Sequence, residues 1–195
     1  MLNEFTYKVL VVSSNNRFND ALKTLLSPER FSPVKFEDSA SSARRLLLSS
    51  DFDIVVINTP LQDEFGIDLA IDIASDSNSG VLLLIKSEIV EEVSYKTEDY
   101  GILTVAKPMT KQAVTQALQL LCATRKRVMK MEEKVHSFEE KLNDIKVVNR
   151  AKMLLMENLK MTENEAHKFI ERTAMDSRST KRDVANKIIN EYKLP

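Results

Sequence analysis

Tryptophan is absent from this chain, glycine occurs three times, proline five times and cysteine once. So few chain breakers leave little room for long flexible loops, and a helix-rich protein is expected. A lone cysteine, Cys122, excludes an internal disulfide framework; it fits a reducing cytoplasm, where an inert helix residue is the simplest reading of it. No apolar run approaches the ~20 residues of a membrane span, so no membrane partner is expected. The opening MLNEFTYKVLVVSS lacks the basic region and long apolar core of a secretory signal, because its short apolar run turns polar at Ser13. A Gly-rich phosphate loop is also missing. His136 and His167 have no second ligand at useful spacing, so no metal, no cofactor and no catalytic residue are expected, and the chain does not read as an enzyme. Six of the eight methionines fall after residue 128 at helical spacing and read as core filler rather than as ligands.

What is present is an ordinary soluble composition, 43% hydrophobic and 29% charged over 195 residues, enough for one or two compact domains. The formal net charge of -1 hides a division. Residues 1–115 carry 11 Lys/Arg against 17 Asp/Glu, whereas residues 150–195 carry 10 against 7. An acidic front and a basic back imply two modules, of which only the back suits a polyanion.

The front alternates short apolar runs with amphipathic ones. KVLVV (8–12), a stretch around Val34–Phe36, DIVVI (53–57), VLLLI (81–85) and Gly101–Ala106 read as five strands. Phe18–Leu26, Ser39–Leu48, Ile67–Ile73 and a segment from Thr110 read as helices. Strands apolar at every position are buried on both faces, which requires a parallel sheet, and strands alternating with helices imply a doubly wound α/β fold. In such folds the working site lies beyond the carboxyl ends of the strands. The residues to inspect there are Ser13, Ser14, Asn58, Lys86 and Lys107.

From about Gln116 the period changes. Leu121, Val128, Val135 and Leu142 are spaced by seven, and Thr124, Met131, Phe138 and Ile145 follow each by three, with Asn149 at the next seam position. This a/d pattern over four heptads predicts a dimerising coiled coil, with one long amphipathic helix packed on its own chain as the alternative. In a parallel pair Arg127 faces Glu132 of the other copy and Lys134 faces Glu139. Lys141 would meet Lys146 and repel it, so pairing weakens toward the C-terminal end. The expected division is therefore 1–120 for the α/β domain, 116–149 for the coiled coil and 150–195 for a compact all-α tail of three helices. In that tail Thr162-Glu163-Asn164-Glu165 has the capping-box pattern, Asp176–Ser179 reads as a tight turn, and Thr180–Asp183 opens the last helix.

Residues 7–120, with Lys107-Pro108 after the fifth strand, resemble a response-regulator receiver domain. The resemblance implies two acidic Mg²⁺ ligands after the first strand, a phosphoacceptor Asp after the third, a Ser or Thr after the fourth and a Lys after the fifth. Here Ser13 and Ser14 stand at the acidic pair, Asn58 at the acceptor, Lys86 at the sensor with Ser87 beside it, and Lys107 alone is kept. A carboxamide is a poor nucleophile and hydroxyls are poor ligands for a hard dication. The domain therefore reads as a pseudo-receiver without phosphotransfer, used for contact with a regulatory protein partner. Lys86 and Lys107 would then lack their counter-charges, and either point to solvent or attract another anion.

Residues 149–190 closely resemble the ANTAR domain of transcription antitermination regulators. The resemblance rests on Ala151-Lys152, Leu155-Met156, Thr162 with Glu165-Ala166, Arg172-Thr173-Ala174-Met175, Asp176-Ser177-Arg178-Ser179, Val184-Ala185 and Ile188-Ile189. It implies binding, as a homodimer, to tandem stem-loops in mRNA leaders, favouring an RNA structure that prevents a terminator from forming. Asn149, Lys152, Arg172, Arg178, Ser179, Lys181 and Arg182 are the candidate RNA contacts, with Asn149 alternatively setting coiled-coil register. Tyr192 is the one aromatic expected near the tail's surface. Two alternatives stay open: a DNA-binding regulator, although the tail lacks the Gly-containing turn common in helix-turn-helix units, and an interaction protein that binds no nucleic acid.

Overall fold

A computed structural model describes residues 5–192, which divide into two compact units, one up to Met129 and one from Lys130 onward. The first unit is a five-stranded parallel sheet. Strands β1 (Tyr7–Val12), β2 (Phe31–Glu37), β3 (Ile54–Asn58), β4 (Gly80–Lys86) and β5 (Leu103–Lys107) lie in the order β2-β1-β3-β4-β5. That is the doubly wound order whose direction reverses between β1 and β3, which places the crevice at their carboxyl ends.

The unbroken apolar runs of β1, β3 and β4 are explained by what covers them. Leu10, Val12, Val55, Ile57, Leu83 and Ile85 point to one face and pack with α2 (Ala40–Leu47), α3 (Ile67–Asp76) and α4 (Val90–Thr97). Val9, Val11, Ile54, Val56, Leu82 and Leu84 point to the other, under α1 (Asn16–Lys23) and the first turns of α5 (Lys111–Leu159). β5, the edge strand, is half-buried throughout. Helix α4 has no counterpart among the expected elements. Its eight residues bury only Val93 and Thr97, too few turns for a clear period beside the apolar run of β4.

Leu121 requires a correction. Heptad counting placed it at the first seam position, but it is 5% exposed and belongs to the core of this domain. Gly80 explains why: a Cβ at that position would lie 3.2 Å from Leu121 Cδ2, so the start of β4 is shaped to receive the leucine. Nearby, Arg125 Nε donates to Asp53 Oδ1 at 3.2 Å, and Asp53 Oδ2 accepts from the Lys8 backbone N–H. This stretch of α5 is thus integral to the sheet domain. Val128 is half-buried. Met131, Val135, Phe138, Leu142 and Ile145, by contrast, are each more than half exposed.

In the second unit the end of α5 packs with α6 (Glu163–Asp176) and α7 (Lys181–Glu191) around Ala151, Leu155, Ala166, Ile170, Ala174, Val184, Ala185, Ile188 and Ile189. Both α6 and α7 begin with a complete capping box, Thr162 with Glu165 and Thr180 with Asp183. Each box satisfies two backbone donors that a helix start leaves open. Val147 and Val148 also pack on this core, so the three-helix unit takes up residues ahead of 150.

Candidate functional site

Two places collect the residues singled out by sequence. The first is the crevice at the strand ends. β1 delivers Ser13 and β3 delivers Asn58, both buried. Asn58 Nδ2 donates to Ser13 Oγ at 3.0 Å, and Ser13 Oγ also accepts from the Asn15 backbone N–H at 3.2 Å. From β5, Lys107 Nζ donates to Asn58 Oδ1 at 3.1 Å and to the Thr59 carbonyl. Burial, and secondarily the charge of Lys86, lowers the Lys107 pKa from its ordinary value. Lys107 therefore takes neither course expected of it: it is half-buried and bonded within the domain. Ser14 and Lys86 remain exposed, outside this chain of bonds. Ser14 Oγ donates to the Pro60 carbonyl, at 3.4 Å.

The second place is a groove of about 410 Å³ in the three-helix unit. α5 contributes Asp144, Ile145, Val148, Asn149 and Lys152; α6 contributes His167; the start of α7 contributes Thr180, Lys181 and Arg182. Ile145 and Val148 thus line the groove beside an amide and three cations. The groove brings together four of the seven candidate contacts, Asn149, Lys152, Lys181 and Arg182, and leaves Arg172, Arg178 and Ser179 outside it. Its cations are paired: Lys152 with Glu163 at 2.8 Å, Arg182 with Asp144 at 2.9 Å, and Lys181 with Glu171. His167 Nε2 sits 3.3 Å from the same Glu171 carboxylate. Lys152 and Lys181 hold Glu163 and Glu171, respectively, below the usual glutamate range.

His167, Thr180 and the acidic partners were missed by sequence reasoning. The i,i+4 spacing of His167 and Glu171 was the available signal, but it does not say which face of α6 meets α7. Of the aromatics here, Tyr192, expected near the tail's surface, is half-buried against the helix core, and Phe169 on α6 is 41% exposed. Phe169 lies one position before the buried Ile170 and so turns off the core-facing stripe.

The turn between α6 and α7 is built on an unusual residue. Arg178 has φ 49°, its N–H donates to the Met175 carbonyl, and the Ser179 N–H donates to the Ala174 carbonyl. These are the two bonds of a Schellman helix ending, whose left-handed position is normally glycine. The Ser177 and Ser179 hydroxyls lie 2.7 Å apart beside it. Among the described residues Arg178 makes no ion pair, whereas Arg172 reaches Asp176 at 3.8 Å.

Comparison with known proteins matches both halves of this description. Residues 136–189 match the ANTAR domain family, starting within the segment assigned above to the coiled coil. The sheet domain has the fold of receiver domains. The signal receiver domain of an HD domain-containing protein from Pseudomonas fluorescens Pf-5 superposes with TM-score 0.58 at 22% identity, covering 67% of this chain and 96% of that one. A chemotaxis response regulator of Vibrio cholerae superposes with TM-score 0.52 at 16% identity, covering 60% and 99%. The chain thus joins a domain of the receiver fold to a segment, 136–189, that matches the ANTAR domain family. Over nearly its whole length it is similar to one known protein: it is 27% identical over 192 residues to the transcriptional regulatory protein PdtaR of Mycobacterium tuberculosis, covering 96% of this chain and 92% of the relative. No helix among the described residues is long and apolar enough to cross a membrane.

Proposed function

We propose that this protein is an RNA-binding transcription antiterminator that acts as a coiled-coil dimer and whose receiver-like domain does not take a phosphoryl group. The observation that carries the reading is the ANTAR match at 136–189, coinciding with a groove lined by Lys152, Lys181 and Arg182 together with Ile145 and Val148. Phosphate contacts position a nucleic acid and base contacts specify it. Unstacked loop bases are reachable where bases inside an A-form helix are not, which favours a stem-loop over a duplex for a groove of this kind. Arg178, in the turn that follows α6, adds a cation that makes no ion pair among the described residues.

The dimer is supported by the exposed stripe Met131, Val135, Phe138, Leu142 and Ile145. Five large apolar side chains at heptad spacing on an otherwise polar stretch of α5 fit a seam for a second copy, and the flanking charges match a parallel pair. Two tails then face two loops of one leader RNA. At the strand ends Asn58 offers a carboxamide where phosphotransfer needs a carboxylate, and Ser13 and Ser14 offer hydroxyls where Mg²⁺ needs acidic oxygens. Control then rests with a protein partner of the receiver-like domain, a ligand, or the amount of protein.

A gel-shift titration with a tandem stem-loop RNA, its loop-scrambled control and duplex DNA tests the reading. Loop-dependent binding that weakens in Arg178→Ala and Arg182→Ala is expected. Equal binding to all three nucleic acids, or to none, contradicts it.

A further inference from the structure

The groove is basic in sequence but largely neutralised in three dimensions. Lys152, Lys181 and Arg182 each meet a carboxylate from another element: Glu163 at the start of α6, Glu171 in the middle of α6, and Asp144 on α5. The Asp144, Glu163 and Glu171 side chains keep 47%, 72% and 39% of their exposure. The Arg182–Asp144 and Lys181–Glu171 pairs, open to water at both ends, contribute only modestly to folding, while the Lys152 side chain in the third pair is 14% exposed. The three pairs do, however, decide what a polyanion meets on arrival. A phosphate gains full attraction from Lys152, Lys181 or Arg182 only by displacing the carboxylate already there. Glu171 guards two groups at once, since His167 Nε2 shares it with Lys181.

Resting on the antiterminator reading, we infer that Asp144, Glu163 and Glu171 are specificity-determining residues of the RNA groove, masking its cations against polyanions in general and yielding only to an RNA whose loop contacts offset the exchange. Nonspecific binding is almost wholly phosphate neutralisation with release of counterions. Masking three cations lowers that contribution and leaves contacts to the bases untouched. Specificity is a difference of affinities, so weakening the wrong complex raises it as surely as strengthening the right one. A chain that searches for one leader among all cellular RNA benefits from the first route.

The test replaces the three carboxylates by isosteric amides in the full chain, Asp144→Asn, Glu163→Gln and Glu171→Gln, and measures binding to a tandem stem-loop RNA, loop-scrambled RNA and duplex DNA across a salt series. The triple variant should bind scrambled RNA and duplex about tenfold tighter at low salt. Its salt dependence on scrambled RNA should steepen by roughly 2, from three unmasked cations at about 0.7 each. Its preference for the stem-loop should shrink. Glu171→Gln alone should move each quantity the same way by less, and keeps the test readable if the triple variant fails to fold. Unchanged or weaker binding with an unchanged salt slope would show that the carboxylates merely hold the helices, and would overturn the inference. If the native chain ignores the stem-loop while the variant gains on duplex, masking stands as a property of the groove but its RNA role falls with the antiterminator reading. If the native chain selects the stem-loop and the variant gains nothing, the antiterminator reading stands and the masking role falls.

Discussion

Lys107 donates its ammonium to the Asn58 carboxamide oxygen at 3.1 Å, joining the two residues that the receiver resemblance sets at the lysine and acceptor positions. The other end of the carboxamide is also engaged, on the Ser13 hydroxyl. Both polar ends of Asn58 are therefore bonded within the domain, and a carboxamide is itself a poor nucleophile.

Incubation with a small-molecule phosphodonor and Mg²⁺ should leave the intact mass of the protein unchanged. An added phosphoryl group that hydroxylamine removes would reveal an acyl phosphate and a working acceptor elsewhere. Lys107→Ala should destabilise the sheet domain by about 1–3 kcal/mol in denaturant titration, because the Asn58 and Thr59 oxygens lose a donor in a partly buried crevice.

Arg178 occupies a left-handed position that costs a side-chain-bearing residue on the order of 1 kcal/mol relative to glycine. Arg178→Gly should therefore raise the melting temperature of the three-helix unit while weakening its binding to stem-loop RNA. A variant that is both more stable and equally tight would show that the arginine has no part in recognition.

The same unit should be sensitive to acid. Glu163, Glu165, Glu171 and Asp183 all have pKa values lowered by their partners, which are Lys152, the Thr162 cap, Lys181 and the Thr180 cap. A carboxylate whose folded pKa lies below its unfolded value stabilises the fold fully above the unfolded value, and that stabilisation is lost as pH falls through the folded one. Helix content should hold above the ordinary glutamate value of 4.5 and fall progressively beneath it. Circular dichroism melts between pH 7 and pH 3 check this; a flat profile would mean that the caps and pairs contribute nothing.

Much of the fold was legible in the sequence because its two periods are clean. Runs such as VLLLI announce doubly buried strands, and Thr162-x-x-Glu165 announces a helix start. What was not legible depended on three-dimensional pairing. Leu121 obeys the heptad count yet is captured by the gap over Gly80, and no one-dimensional period reports a gap. Phe169 and Ile170 are adjacent apolar residues of which only the second is buried, because one residue is a turn of 100° on a helix. The groove's cations were identified, but not their carboxylates, since Asp144 and Arg182 are 38 residues apart in sequence.

The exposed seam makes a separate prediction. Leu142→Glu should convert a dimer to a monomer in sedimentation analysis and leave the sheet domain's melting unchanged. Lys146→Glu, which turns a repulsion with Lys141 into an attraction, should tighten the dimer. A native chain that sediments as a monomer at micromolar concentration would remove the coiled coil from the account.

The most direct measurement is transcription in vitro through a leader that carries tandem stem-loops ahead of a terminator. Adding the purified protein should raise the fraction of transcripts that read through, and the Arg178→Ala, Arg182→Ala double variant should fail to do so at the same concentration. Unchanged read-through with the native protein, on a leader that it demonstrably binds, would contradict antitermination and leave only an RNA-binding protein.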